Sequence, residues 1–301
     1  MTTRTAVPPA PAPTTRRTLG GAGLVLVSAC SVHSGAAVAA TLFPRLGIGP
    51  VVALRLVVGA VLLLALCRPA FRGRSRADWA VAGVFGVALA GMNTVFYEAI
   101  ARIPLGPAVT LEVLGPLTLS VVAARRRSAW LWAGLALAGV ALLGRGGFGR
   151  LDPVGVLLVL VAAVLWASYI VLSARAGARF RGAEGLALAM AVAAVLSLPL
   201  GVAGAGRSLL DPAALGLGCA VAVLSSVLPY SLELFALRRL PTATFAVLMS
   251  LGPAIAAGAG WLILDQALSW TEVAAIGLVI TAGIGAVRSV PHPAVPPNPA
   301  S

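Results

Sequence analysis

Long apolar runs separated by short polar interruptions set the layout of this chain. Thr18 to Pro44 carries no Asp, Glu, Lys or Arg, and Leu240 to Leu264 is equally free of charge. A bilayer span takes about 20 apolar residues at about 1.5 Å of rise each, and both runs exceed that. Similar stretches recur and predict ten helices, at about 19–42, 48–67, 79–101, 105–124, 129–147, 153–174, 184–205, 213–237, 241–264 and 269–288. Short loops join them and leave no room for an extramembrane domain. The expected fold class is an all-α membrane protein of ten transmembrane helices. Residues 1–18, rich in Thr, Pro, Ala and Arg, and the Pro-rich 291–301 read as disordered cytoplasmic tails.

The chain also repeats itself. Ala99-Ile100-Ala101-Arg102-Ile103-Pro104 returns as Ala236-Leu237-Arg238-Arg239-Leu240-Pro241, about 137 residues later, and Leu114-Gly115-Pro116 returns at the same offset as Leu251-Gly252-Pro253. Residues 19–150 and 151–290 therefore read as two repeats of five helices. An odd number of spans inverts the second repeat relative to the first. Charge agrees: Arg125-Arg126-Arg127 follows the Gly-Pro span of the first repeat, whereas Asp265-Gln266, with no basic residue, follows its counterpart. Inverted repeats with interrupted spans at matching positions have the architecture of a secondary transporter whose site lies at the breaks. Alternating access follows from that symmetry, because exchanging the conformations of the two halves opens the opposite side.

Composition narrows the class further. Hydrophobic residues make up 59% and charged residues 10% of the chain, with a mean hydropathy of +1.00, which no soluble domain surface allows. The net charge of +13 comes entirely from arginine. With the N-terminus cytoplasmic, sixteen arginines fall in inside segments, five in outside loops, and Arg55 within a span. That asymmetry orients the chain by the positive-inside rule and removes nucleic acid as a partner. Both termini are expected on the cytoplasmic side of the plasma membrane.

Several motifs are together characteristic: Ser31-Val32-His33-Ser34-Gly35-Ala36, Ala53-Leu54-Arg55-Leu56, Gly91-Met92-Asn93, Ile103-Pro104-Leu105-Gly106, Leu228-Pro229-Tyr230-Ser231-Leu232-Glu233 and Leu240-Pro241-Thr242. Over nearly all of residues 20–288 the chain resembles the EamA-type branch of the drug/metabolite transporter superfamily. The resemblance implies two EamA-type repeats and an exporter of small neutral amino acids, of the threonine or homoserine kind, or of related metabolites. A multidrug exporter of the same superfamily is the alternative within that class. Two positions depart from the family pattern. Gly252 stands where members often carry Glu before the second proline, and Asp265-Gln266 where they carry a Gly-Glu pair.

Ionisable groups inside a bilayer are costly and mark function. Glu112 lies near the middle of the fourth span, and Pro116, four residues on, lacks the amide that would bond the Glu112 carbonyl. A free carbonyl and a carboxyl thus meet at one helix break, able to trade a proton for a substrate ammonium. The bland reading is a structural Glu bonded to a neighbouring helix. Pro253 frees the Met249 carbonyl in the same way, with no acid there. Arg55, about 10 Å into the second span, can fork onto a substrate carboxylate, pair with Glu112, or snorkel to the outer surface. Glu233 either lines the cavity or pairs with Arg238 or Arg239 near the inner mouth. Glu98 and Arg102, at i,i+4, read as a local ion pair.

Asn93 and Tyr97 share a face of the third span, Trp166 and Tyr169 of the sixth, and Tyr230 shares one with Glu233. These, with His33, complete the candidate lining. His33 is either a hydrogen-bonded core residue or a proton relay, and Trp166 packs on a ligand or only on helices. Trp79, Trp130, Trp132, Trp261 and Trp270 fall at span ends and read as an interface belt.

Other chemistries find little footing. Val27-Ser28-Ala29-Cys30 fits a lipoprotein processing box, but the apolar run continues unbroken to Pro44. Cys30, Cys67 and Cys219 form neither a metal spacing nor a disulfide framework. The acids are scattered singly, which offers no metal-diphosphate site, and Ser34 beside His33 points elsewhere on its helix. No enzyme activity, cofactor or metal is expected. The partners expected are a small-molecule substrate, protons and the lipid bilayer, with the protein a monomer or homodimer. A passive channel would carry flux without saturation, and a non-transporting scaffold would need neither Glu112 nor the two prolines.

The arginine asymmetry generates a first prediction. Termini and the loops at 68–78, 125–128 and 175–183 should be cytoplasmic, so cysteines replacing Ser75 or Ser128 should resist an impermeant thiol reagent applied outside. Labelling of either, with a cysteine at Gly147 protected, would reverse the orientation.

Overall fold

The computed structural model describes residues 15–124, 127–147, 151–205, 211–237, 239–240 and 242–288, and these residues form helices and turns with no strand among them. Arg125, Arg126, Arg238, Pro241 and most of both tails lie outside the described residues. The helices are α1 (Thr15–Leu46), α2 (Ile48–Cys67), α3 (Arg76–Ile100), α4 (Leu105–Glu112), α5 (Leu114–Ala124), α6 (Arg127–Gly147), α7 (Pro153–Arg179), α8 (Glu184–Ala205), α9 (Pro212–Ala222), α10 (Leu228–Leu237), α11 (Thr242–Met249), α12 (Gly252–Leu264) and α13 (Trp270–Arg288), with a π-helical turn over Val223–Val227 between α9 and α10. Helix is what a bilayer demands, because every backbone group must find its partner within the protein. Seven helical stretches are long and apolar enough to cross a membrane, and Leu105–Leu119, Trp130–Leu142 and Leu215–Val227 are shorter apolar ones.

Local sequence sets the ends. Asp152 and Asp211 each cap a helix whose first residue is proline, their carboxylates accepting the amides of Val154 at 2.9 Å and Ala213 at 3.3 Å. Ser75 and Asp78 form a reciprocal capping box on α3. Asp265 ends α12 at φ 53, in the left-handed region, and the Gln266 amide reaches back to the Gly260 carbonyl at 3.1 Å. That backbone accounts for the family's usual glycine here, and Asp is among the few residues that tolerate it. Gln266 Oε1 then accepts the Leu105 amide at 2.9 Å, clipping the start of α4 to the end of α12.

Breaks were expected in the spans 105–124 and 241–264, at Pro116 and Pro253, but not in 213–237, and all three are interrupted. The first breaks at Val113, the second at Ser250–Leu251, and 213–237 widens into the π-helical turn. Pro116, Pro229 and Pro253 each follow the break by a few residues, since a proline removes an amide and clashes with the carbonyl four residues earlier. The broken pair α4/α5 packs on α7, and α11/α12 packs on α1.

Small residues bring the helices together. A Cβ on Gly86 of α3 would lie 2.7 Å from the Ala189 carbonyl of α8, and one on Gly106 of α4 would lie 2.9 Å from the Ala257 Cβ of α12. At Gly115 a Cβ would overlap the Ala163 carbonyl of α7.

Ion pairs link the loops. Arg74 bonds Glu184 and stacks on Phe180, and Arg179 donates to Asp78 at 3.1 Å. These contacts join two segments that the arginine count puts on the same side. Arg102 and Asp152, both expected on the opposite side, meet at 3.4 Å. The local Glu98–Arg102 pair is therefore corrected. Helix α3 ends at Ile100 and the chain turns, so i,i+4 spacing no longer brings the two side chains together. Trp132 differs in burial from the other four tryptophans of the expected belt. It is half-buried against Gly285 of α13, whereas Trp79, Trp130, Trp261 and Trp270 are exposed.

The packing generates a second prediction. Gly115→Ala should destabilise the detergent-purified protein by about 1–3 kcal/mol, the range for overpacking a close contact. Gly258→Ala, where a Cβ meets nothing within 4 Å, should leave the thermal midpoint unchanged or slightly raised.

Candidate functional site

Three prolines shape one cavity. Each leaves the carbonyl four residues earlier without its helical donor: Glu112 for Pro116, Ser225 for Pro229, and Met249 for Pro253. All three of these residues line a cavity of about 210 Å³ between α1, α2, α3, α4, α7, α10 and the α11/α12 break. Sequence reasoning singled out the first and third of these positions. The second escaped it, although the same four-residue rule applied to Pro229 finds it.

Arg55 enters from α2 and uses the released carbonyl. Its Nη2 donates to the Ser225 carbonyl at 3.3 Å and its Nη1 to the Tyr97 hydroxyl at 3.0 Å. The guanidinium carbon also stands 5.3 Å from the centroid of the Tyr97 ring, within cation–π range. Tyr97 is fully buried and holds Arg55 from behind without lining the cavity. The Arg55 Nε is buried without a hydrogen-bond partner. Of the three readings open for Arg55, the ion pair with Glu112 is absent among the described residues. Snorkelling is replaced by the bonds to Tyr97 and Ser225.

Glu112 ends α4 at the first break and lines the same cavity, with no hydrogen bond or ion pair among the described residues. His33 lines it from α1. A Cβ on Gly252 would lie 3.3 Å from the His33 Nε2, so the glycine at the second break leaves room for this ring. That packing accounts for the departure at Gly252, since a longer side chain would displace His33. Asn93 is buried, donates Nδ2 to the Leu89 carbonyl at 2.8 Å, and borders the cavity. Trp166 and Tyr169 border it from α7, where Tyr169 packs its ring 5.2 Å from that of Phe85.

Glu233 lines the cavity from α10 and accepts the Ser28 hydroxyl at 2.9 Å. Of the alternative partners at the inner mouth, Arg238 lies outside the described residues, and no pair with Arg239 is formed among them. Glu233 has no cation partner among the described residues, and Arg239 is exposed beyond the end of α10. Tyr230 belongs to α10, and its side chain lies outside the described ones.

Ser28 is a neighbour of the cavity-lining Glu233 that the sequence reading missed. Ser28, Ser31 and Gly35 fall on one face of α1, at spacings of three and four; Ser28 meets α10, and Ser31 and Gly35 meet the π-helical segment. Ser31 Oγ donates to the Leu224 carbonyl at 2.6 Å, and a Cβ on Gly35 would collide with the Ser225 hydroxyl. The spacing was visible in the sequence, but the helix it meets lies about 200 residues away.

A cationic fork and a carboxyl thus face one cavity without touching each other. The space is smaller than the roughly 300–1,000 Å³ of sites for drug-sized ligands. A small zwitterion, with its carboxylate on Arg55 and its ammonium on Glu112, satisfies both groups at once.

Comparison with known proteins gives three findings. Residues 153–288 match the EamA-like transporter family. The chain is 40% identical over 270 residues to the threonine/homoserine exporter RhtA of Escherichia coli, covering 89% of this chain and 91% of that protein. RhtA of Salmonella typhimurium matches with the same identity and coverage. A crystal structure 21% identical in sequence shares the fold with a TM-score of 0.63, over 89% of this chain and 97% of that one.

A third prediction concerns the Arg55 cradle. Tyr97→Phe keeps the ring and removes one charge-assisted hydrogen bond, so thermal unfolding in detergent should show a loss of about 1–3 kcal/mol. Tyr97→Leu, which also removes the cation–π contact, should cost more. Equal stability of Tyr97→Phe and the wild type would show that the hydroxyl does not hold the guanidinium.

Proposed function

The chain belongs to the EamA-like transporter family, the kinship its motifs implied, and from that premise we propose that it exports small neutral amino acids of the threonine or homoserine kind by proton-coupled alternating access. The observation that carries this reading is that Arg55 and Glu112 both line one cavity of about 210 Å³. A zwitterion needs a donor fork for its carboxylate and an acceptor for its ammonium. A bulky aromatic cation needs neither the fork nor so small a space. The similarity to threonine/homoserine exporters supports the same substrate class.

Ten spans in two inverted five-helix repeats, 19–150 and 151–290, supply the exchange of access. The matched packing of α4/α5 on α7 and of α11/α12 on α1 supports that symmetry. Glu112 couples transport to protons because proton and substrate ammonium compete for one carboxyl. The inward-facing site gives up its proton to take substrate, and the outward-facing site exchanges them again. Both termini lie in the cytoplasm, on the side where the substrate is made.

The fourth prediction tests this mechanism by amino-acid counterflow in proteoliposomes with and without an imposed pH gradient. Wild-type threonine or homoserine flux should rise with the gradient. Glu112→Gln keeps the size and polarity of the side chain, so it should fold and lose that dependence. Glu98→Gln, at a carboxyl outside the cavity, should behave as wild type. Wild-type rates indifferent to the gradient, or a Glu112→Gln variant that still follows it, would leave Glu112 a structural residue.

A further inference from the structure

The cavity holds a second carboxylate that the zwitterion does not use. Glu233 lies eight residues beyond Ser225 on the same helical stack, about 12 Å of rise. Its side chain is drawn back toward Ser225, because the Ser28 hydroxyl that binds it also lies 3.4 Å from the Pro229 carbonyl. Ser28 is fully buried, so the carboxylate position is fixed by packed protein. A carboxylate offers about four lone-pair sites. Here Oε1 has one donor, Ser28, and Oε2 has none among the described residues. Glu233 lines the cavity, so a donor on a bound ligand can take acceptor sites that Ser28 leaves open.

We propose that Glu233, positioned by Ser28, determines specificity by accepting the side-chain hydroxyl of a short hydroxy amino acid whose charged ends rest on Arg55 and Glu112. The inference rests on the export reading above and adds which end of the substrate is read and by what. Ionised, the three groups carry one net negative charge. Without substrate one proton on Glu112 balances that charge, and Glu112 gives it up when the substrate ammonium arrives, so this is the proton that the export cycle trades. A site built to bond a hydroxyl discriminates strongly against the analogue that lacks it, because its own polar group is then left unpaired.

The test compares three substrates that differ at one group: homoserine, α-aminobutyrate, which lacks the hydroxyl, and α,γ-diaminobutyrate, which carries an ammonium in its place. In proteoliposomes the wild type should favour homoserine over α-aminobutyrate in kcat/KM by about tenfold or more. Glu233→Met keeps the volume, and Ser28 retains the Pro229 carbonyl as acceptor. This variant should bring the ratio to within about twofold of one, through loss of homoserine transport while α-aminobutyrate transport is kept. Ser28→Ala leaves the carboxylate in place but unfixed. It should raise KM for homoserine several-fold and leave that for α-aminobutyrate unchanged, which carries the test if Glu233→Met does not accumulate. An equal fall for both substrates would make Glu233 structural, and an unchanged ratio would remove it from recognition. A wild-type preference for α,γ-diaminobutyrate would assign Glu233 to a cation instead. A wild type that moves none of the three would overturn the export reading itself, and this inference with it.

Discussion

A peptide carbonyl inside a bilayer has no water to turn to, and the site is organised around three that have lost their helical donor. Pro116, Pro229 and Pro253 each release one, and the residues released all border one cavity. At Ser225 the released oxygen is already spent on Arg55. That bond solves two problems together, since a guanidinium in the membrane interior also needs acceptors. The break, the cation and the cavity are one arrangement. Restoring the amide at 229 would return the Ser225 carbonyl to its helix and remove one of the two acceptors that hold Arg55.

Such a cavity survives only if the helices around it are close. Lipid tails are as apolar as leucine, so association rests on packing and on polar contacts between helices. Gly35 lets α1 lie against Ser225, Gly86 lets α3 lie against α8, and Gly115 seats α5 on α7. Ser28 and Ser31 add hydrogen bonds from α1 to the π-helical segment and α10. The polar groups of the interior are thus distributed between binding helices together and facing the cavity.

Much of the fold was legible because its causes are local. Apolar runs gave the helices, and prolines gave two of their breaks. The arginine count grouped loops that the ion pairs Arg74–Glu184 and Arg102–Asp152 then join. Glu112 was legible for the same reason, since acid and proline are four residues apart. The environment of Arg55 was not, because its two acceptors come from positions 42 and 170 residues away. Ser28 and Glu233 are separated by 205 residues, and no periodicity pairs them. The Glu98–Arg102 reading failed through a boundary: the helix that would have aligned the two stops at Ile100. The packing of Trp132 on Gly285 of α13 was not legible either, because the two belong to helices far apart in sequence.

The clip between Gln266 and Leu105 has a mechanical consequence. It fastens α4, from the first half of the chain, to α12, from the second, and Gly106 against Ala257 holds the two in register. Each of these short helices ends at a break, α4 at Val113 and α12 at Leu251. The pair therefore forms a rigid wedge with a pivot on either side, and fewer helical hydrogen bonds cross those pivots than cross an unbroken turn. A wedge mounted in this way can tilt without unfolding any helix. The two halves of the protein would then be geared to each other at the level of the cavity itself.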